Sequence, residues 1–133
     1  MRLVIAAAAT IAAFSAAPTL AAPASTDPGP APECNDSPNQ LEMNTCTAQA
    51  FKREDALLNQ VYAAYRAKLE PDRRAALTVA QKSWLAFRDT ECKFEEDNYA
   101  GGSIQPAIWS TCLAGLTQER RKALAALLED ASH

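Results

Sequence analysis

Apolar and polar positions recur along most of this chain with a helical period, and no stretch shows the alternation of a strand. The clearest segment is Gln81-Lys82-Ser83-Trp84-Leu85-Ala86-Phe87-Arg88-Asp89-Thr90-Glu91-Cys92, which holds no glycine or proline. Steps of four, three, four and four place Leu77, Gln81, Trp84, Arg88 and Cys92 on one side of a helix. That side mixes an aromatic ring and a cysteine with an amide and a guanidinium. An ordinary amphipathic helix would carry leucine at positions 81 and 88, so neighbouring helices must answer these polar groups.

The punctuation around this segment sets the remaining elements. Ser37-Pro38-Asn39-Gln40 reads as a helix start, with Ser37 as N-cap, Pro38 at the first helical position and Gln40 placed for a capping box. An uninterrupted helix follows to about Leu69, with Leu41, Cys46, Ala50, Leu57, Leu58, Val61, Tyr62 and Tyr65 as its stripe. Its length of about 45 Å leaves room for a kink near Thr45 to Thr47. Glu70-Pro71-Asp72 marks a turn, and a second helix runs from about Pro71 to Tyr99. Gly101-Gly102 ends it, and Ser103 is placed to cap a third helix through Trp109 and Leu113. Gly115 followed by Thr117 reads as a stop and a fresh cap, opening a fourth helix with Leu124, Leu127 and Leu128. The expected fold is all-α, a small antiparallel bundle of three to four helices braced by two disulfides.

The first 22 residues are expected to lie outside that fold. Met1-Arg2 followed by an alanine-rich apolar run and small residues at Ala21, Ala22 and Ala24 has the pattern of a secretory signal peptide. The run ends at Pro18 and is short for a membrane span. Residues 23–33 then form a Pro/Ala-rich lead-in with nothing large to bury, and residues 34–130 form the helical domain. Export makes the four cysteines informative: an even number in an oxidising compartment implies two disulfides. The expected location is therefore periplasmic or secreted, with the periplasm favoured and no membrane anchor after cleavage.

Levelling the helices against one another predicts specific pairs. With the first two helices folded back at Glu70–Pro71, Asp55 comes level with Arg88, and Asn59 with Gln81 and Trp84. A polar seam of Asp55, Asn59, Tyr62, Gln81, Trp84, Arg88, Asp89 and Arg120 follows. In it Asp55 pairs with Arg88, Asn59 with Gln81, and Asp89 reaches toward Thr117 or Arg120. Cys92 and Cys112 lie equally far from a bend at Gly102, which favours their pairing and leaves Cys34 to Cys46. The levels also roughly match Cys46–Cys92 with Cys34–Cys112, and that alternative stays open.

Charge and residue inventory narrow the chemistry. Loss of Arg2 with the leader takes the formal net charge from −3 to −4, which argues against nucleic acid and anionic membranes and favours a basic partner. The single histidine is the terminal His133, so neither a Ser-His-Asp nor a Cys-His arrangement can be built. The cysteines lack C-x-x-C spacing, and no glycine-rich phosphate loop follows a strand. No catalytic group, cofactor or metal is expected, and the chain reads as a binding protein rather than an enzyme. The candidate contact surface is the bend carrying Glu95, Glu96, Asp97, Tyr99, Gly101, Gly102 and Ser103, where carboxylates and an aromatic ring meet a glycine pair.

Taken together, these motifs resemble the LprI-type lysozyme-inhibitor-like family. The resemblance is carried by Cys34, Gln40-x-Glu42-Met43-Asn44-x-Cys46, Asp55-x-x-Leu58-Asn59-x-x-Tyr62 and Gln81-x-x-Trp84-Leu85-x-x-Arg88-Asp89-x-x-Cys92. Gly101-Gly102-Ser103, Cys112-Leu113 and Leu116-Thr117-x-x-Arg120 complete it. It spans about Cys34 to Leu128 and implies a small, secreted, helical, disulfide-stapled domain with a protein partner. The implied activity is inhibition of a lysozyme by occluding the muramidase cleft. An envelope interaction or stress module without lysozyme activity is the alternative. Here no cysteine follows the leader directly, so lipid anchoring is not implied.

Overall fold

A computed structural model describes residues 34–133; the expected signal peptide and lead-in lie outside the described residues. A 3-10 turn, Cys34–Asp36, precedes three long helices: α1 Gln40–Lys68, α2 Pro71–Asp97 and α3 Gln105–Asp130. Among the described residues there is no strand.

Local chemistry explains the boundaries, and three differ from expectation. α1 is capped by Asn39 rather than Ser37: the Asn39 side chain accepts the Glu42 N–H at 2.9 Å and donates to Glu42 Oε1 at 3.1 Å. Ser37 is occupied in the preceding turn, where its N–H donates to the Cys34 carbonyl at 3.2 Å. The Asn39–Glu42 contact is a side-chain N-cap two residues further along the chain than expected. Glu42 returns to the Asn39 side-chain amide, where a capping box would use the backbone N–H. α1 then runs unbroken through Thr45 to Thr47. α2 begins at Pro71, whose fixed φ and missing N–H suit a first helical position, and Arg74 Nε donates to the Leu69 carbonyl at 2.6 Å across the turn.

The other two corrections concern α3. Ser103 does not cap it; Ile104 is the boundary residue, and the Ser103 carbonyl instead accepts from Asn44 Nδ2 at 3.1 Å. Gly115 does not end a helix, and Thr117 does not start one: α3 is continuous, giving three helices rather than four. A lone helical glycine costs about 1 kcal/mol relative to alanine, which tertiary burial of the flanking residues outweighs. Thr117 is fully buried.

The packing is unequal. The α1 backbone lies chiefly against α3 and that of α2 against α3, while α1 and α2 stand further apart and meet through their side chains. Since each connection reverses the chain, α1 and α3 run parallel, tied near their starts by Asn44–Ser103 and further on by Glu54–Arg121. Small buried residues permit the close approach: Thr47 and Ala50 on α1, Ala107, Ser110 and Thr117 on α3. The apolar core sits at the other end, where Leu58, Tyr65, Leu77 and Leu124 gather with Val61, Tyr62, Leu69, Trp84 and Leu128 around them. Burying a leucine such as Leu58, 1% exposed, contributes about 1.5–3 kcal/mol.

Two disulfides brace the end remote from that core. Cys34–Cys46 pins the entering chain onto α1, with 5.8 Å between Cα atoms. Cys92–Cys112 joins α2 to α3, with 5.5 Å between Cα atoms, and Cys92 is completely buried. This settles the connectivity in favour of the pairing that the bend symmetry suggests. Among the described residues no helix is long and apolar enough to cross a membrane.

Candidate protein-binding end of the bundle

Of the contacts expected from levelling the helices, Asp55 does pair with Arg88, while Gln81, Asn59 and Asp89 have other partners. Arg88 is buried between the rings of Phe51 and Trp84, 5.3 and 5.4 Å from their centroids. Its Nη1 donates to Asp55 Oδ1 at 3.5 Å and to Thr117 Oγ1 at 3.4 Å. Its Nε and Nη2 both reach Asp89 Oδ1, at 2.9 and 2.8 Å. Asp89 therefore holds its own neighbour and does not extend to Thr117 or Arg120. One guanidinium thereby links all three helices.

Gln81 and Asn59 do not meet. Gln81 Oε1 accepts from Arg120 Nε at 3.0 Å, while the exposed Asn59 donates to Asp55 Oδ2 at 3.3 Å. The cause is the packing order: α2 has α3, not α1, as its close neighbour, so the amide on α2 finds its partner on α3. Arg120 also stacks on Trp84, 5.9 Å from its centroid, and Tyr62 shares a hydroxyl hydrogen bond with Thr78 at 3.1 Å. Most of these hydrogen bonds run between helices, while Asp55, Asn59 and Asp89 keep part of their side chains in solvent. The side chains of this group are engaged chiefly with one another.

The acidic bend has the opposite character. The last turn of α2 carries Glu95, Glu96 and Asp97 and no basic residue, at the end where the helix macrodipole is already negative. Each carboxylate so placed is disfavoured by about 0.3–1 kcal/mol at an exposed site. Lys93 offsets part of this by pairing with Asp97, and that bond raises the lysine pKa above its ordinary value. Beside these charges stand two exposed rings, Phe94 at 69% and Tyr99 at 45% of full exposure.

The bend is also firmly built, which the glycine pair alone does not suggest. Tyr99, Ala100 and Gly102 N–H groups donate to the carbonyls of Glu96, Asp97 and Tyr99 in successive turns. Gly101 has φ +80°, a conformation that side chains other than glycine rarely adopt. Its N–H donates to Gln105 Oε1 at 3.0 Å, and Gln105 Nε2 donates to Glu96 Oε1 at 2.7 Å. Ser103, through its bond from Asn44, ties the bend to α1. Glu95, Asp97, Tyr99, Gly101, Gly102 and Ser103 are exposed, and Glu96 is half-buried under its glutamine partner.

The buried ion pair of Glu54 and Arg121 went unpredicted. Arg121 Nε donates to Glu54 Oε2 at 2.8 Å, and Glu54 is 1% exposed. The signal was present: Glu54 lies four residues after Ala50 and four before Leu58, on the buried stripe of α1.

Comparison with known proteins assigns the chain to a family. Residues 33–124 match the family described as "Lysozyme inhibitor LprI". An uncharacterised protein of Rhizobium meliloti (strain 1021), R02472, is 33% identical over 122 residues, covering 78% of this chain and 84% of that protein. No solved structure matches. The chain belongs to the LprI lysozyme-inhibitor family.

Proposed function

We propose that this protein is exported to the periplasm, where it binds a lysozyme-type muramidase and occludes its cleft with the bend formed by residues 94–103. The observation that carries this reading is the last turn of α2: three carboxylates at a negative helix end, flanked by exposed Phe94 and Tyr99. A basic partner relieves the local repulsion on binding, and the rings supply apolar contact at low entropic cost. The bend's own hydrogen bonds hold it in shape beforehand, which lowers the cost of association. Family membership and the export pattern of the leader support the same reading. The protein acts by steric exclusion and does no chemistry of its own.

Purified protein added to cell-wall lysis assays with several classes of lysozyme tests the proposal. Inhibition of at least one class, weakened by rising salt and by Glu95→Gln with Glu96→Gln, is the expected result. Failure against every class at micromolar excess, with an endogenous envelope protein recovered instead, favours an interaction module without lysozyme activity.

A further inference from the structure

A cleft of about 600 Å³ opens between α1 and α3 on the disulfide-braced half of the bundle. Its walls are largely apolar, with Met43 and Ala50 on α1 and Ile104, Ala107 and Ile108 on α3. Three features set it apart from a packing flaw.

Gly115 stands on its wall, within the helix. A Cβ placed there would meet nothing within 4 Å, so packing does not call for glycine. Glycine in a helix interior is nonetheless costly, and its effect here is to leave the cleft open. Glu54 also lines the cleft, with one carboxylate oxygen held by Arg121 and the other, Oε1, buried without a hydrogen-bond partner among the described residues. Arg121 is not part of the lining, so the cleft meets the acidic member of the pair. Finally, Glu95 contributes to the same lining, which makes the cleft continuous with the anionic end of α2.

We propose that this cleft receives an alkyl chain ending in a cation, the shape of a lysine or arginine side chain presented by a basic protein partner. The methylenes lie against Met43, Ile104 and Ile108, and the head group donates first to Glu95. Oε1 of Glu54 is shielded in the unbound chain, so a turn of that side chain completes a second bond deeper in the cleft. A hydrophobic stem with a cationic head matches a hydrophobic wall with carboxylates at its mouth and depth. The identity of the partner rests on the lysozyme reading; the chemistry of the cleft does not.

The test separates the two. In ¹⁵N NMR titrations of the disulfide-bonded protein, n-hexylammonium should shift the amides of Ala107, Thr111 and Gly115. n-Hexanol should bind at least tenfold more weakly, and hexanoate should not bind. Gly115→Leu, which fills the cleft from a position with room, should weaken hexylammonium binding at least tenfold while the melting temperature holds or rises. No shifts at these amides, equal binding of hexanol, or unchanged binding in Gly115→Leu overturns the proposal. So does hexylammonium binding that appears only after deletion of residues 23–33, which would assign the cleft to the chain's own lead-in. Lysozyme binding that survives Gly115→Leu unchanged also overturns it. Hexylammonium binding in a protein that ignores every lysozyme supports the cleft and removes the lysozyme reading.

Discussion

Arg121 reaches across the α1–α3 interface to Glu54, Nε to Oε2 at 2.8 Å, and Glu54 is 1% exposed. A charge pair thus occupies a buried layer made otherwise of small residues, between the apolar core and the disulfides. Desolvating two charges offsets much of their attraction, so the pair adds little net stability while making either member costly to remove. Arg121→Met alone should destabilise by about 3–5 kcal/mol, because it strands a buried carboxylate. Arg121→Met combined with Glu54→Leu should recover most of that loss. Chemical denaturation of the two variants and the wild type forms the check, and equal destabilisation of both variants would count against this account.

Arg88 tests the seam in the same way. It is buried, ring-stacked on two sides and bonded to Asp55, Asp89 and Thr117. Arg88→Ala should cost about 3 kcal/mol or more, since it leaves Thr117 unpaired and opens space beside Trp84. Lys82→Ala, on the exposed side of the same helix, should stay within about 0.5 kcal/mol. Similar thermal shifts for both variants would place Arg88 in solvent.

The disulfides close loops of 12 and 20 residues. Loop-closure entropy assigns each about 3 kcal/mol, the longer slightly more. Cys92→Ala with Cys112→Ala should therefore lower the melting temperature at least as much as the Cys34/Cys46 replacement. Full reduction that leaves the melting temperature unchanged would contradict the bracing role.

Two glycines should respond oppositely to the same substitution. Gly101→Ala forces a side chain into φ +80° and should destabilise by about 1 kcal/mol or more. Gly115→Ala enters open space in a helix interior and should stabilise by up to about 1 kcal/mol. Thermal melts of the two single variants decide the signs.

The chain sequence made the fold class and the disulfide pairing legible because both follow from local signals: helical period, Pro71, and cysteines spaced evenly about a bend. The inner partners were less legible. A fold-back of α2 on α1 at Glu70–Pro71 would bring Asn59 level with Gln81. Small residues on α1 and α3 draw that pair together instead, and so Gln81 finds Arg120 rather than Asn59. A glutamate on a helix reads as solvent-facing, and only its place between Ala50 and Leu58 at four-residue steps marks Glu54 as buried. Gly115 misled for a related reason: a glycine followed by threonine is a stop signal locally, and only tertiary burial of Thr117 carries the helix through. The acidic bend was visible as a candidate surface, but its bracing by Gln105 and Asn44 rests on contacts made at a distance in sequence.

The central claim is that the anionic, aromatic bend is what a lysozyme meets. Its most direct test is the dissociation constant for an inhibited lysozyme, measured by calorimetry for wild type and for Glu95→Gln/Glu96→Gln/Tyr99→Ala. The account predicts at least a tenfold loss of affinity, about 1.4 kcal/mol, with a melting temperature that holds or rises as the helix end loses its unfavourable charge. Undiminished affinity in the triple variant would contradict it.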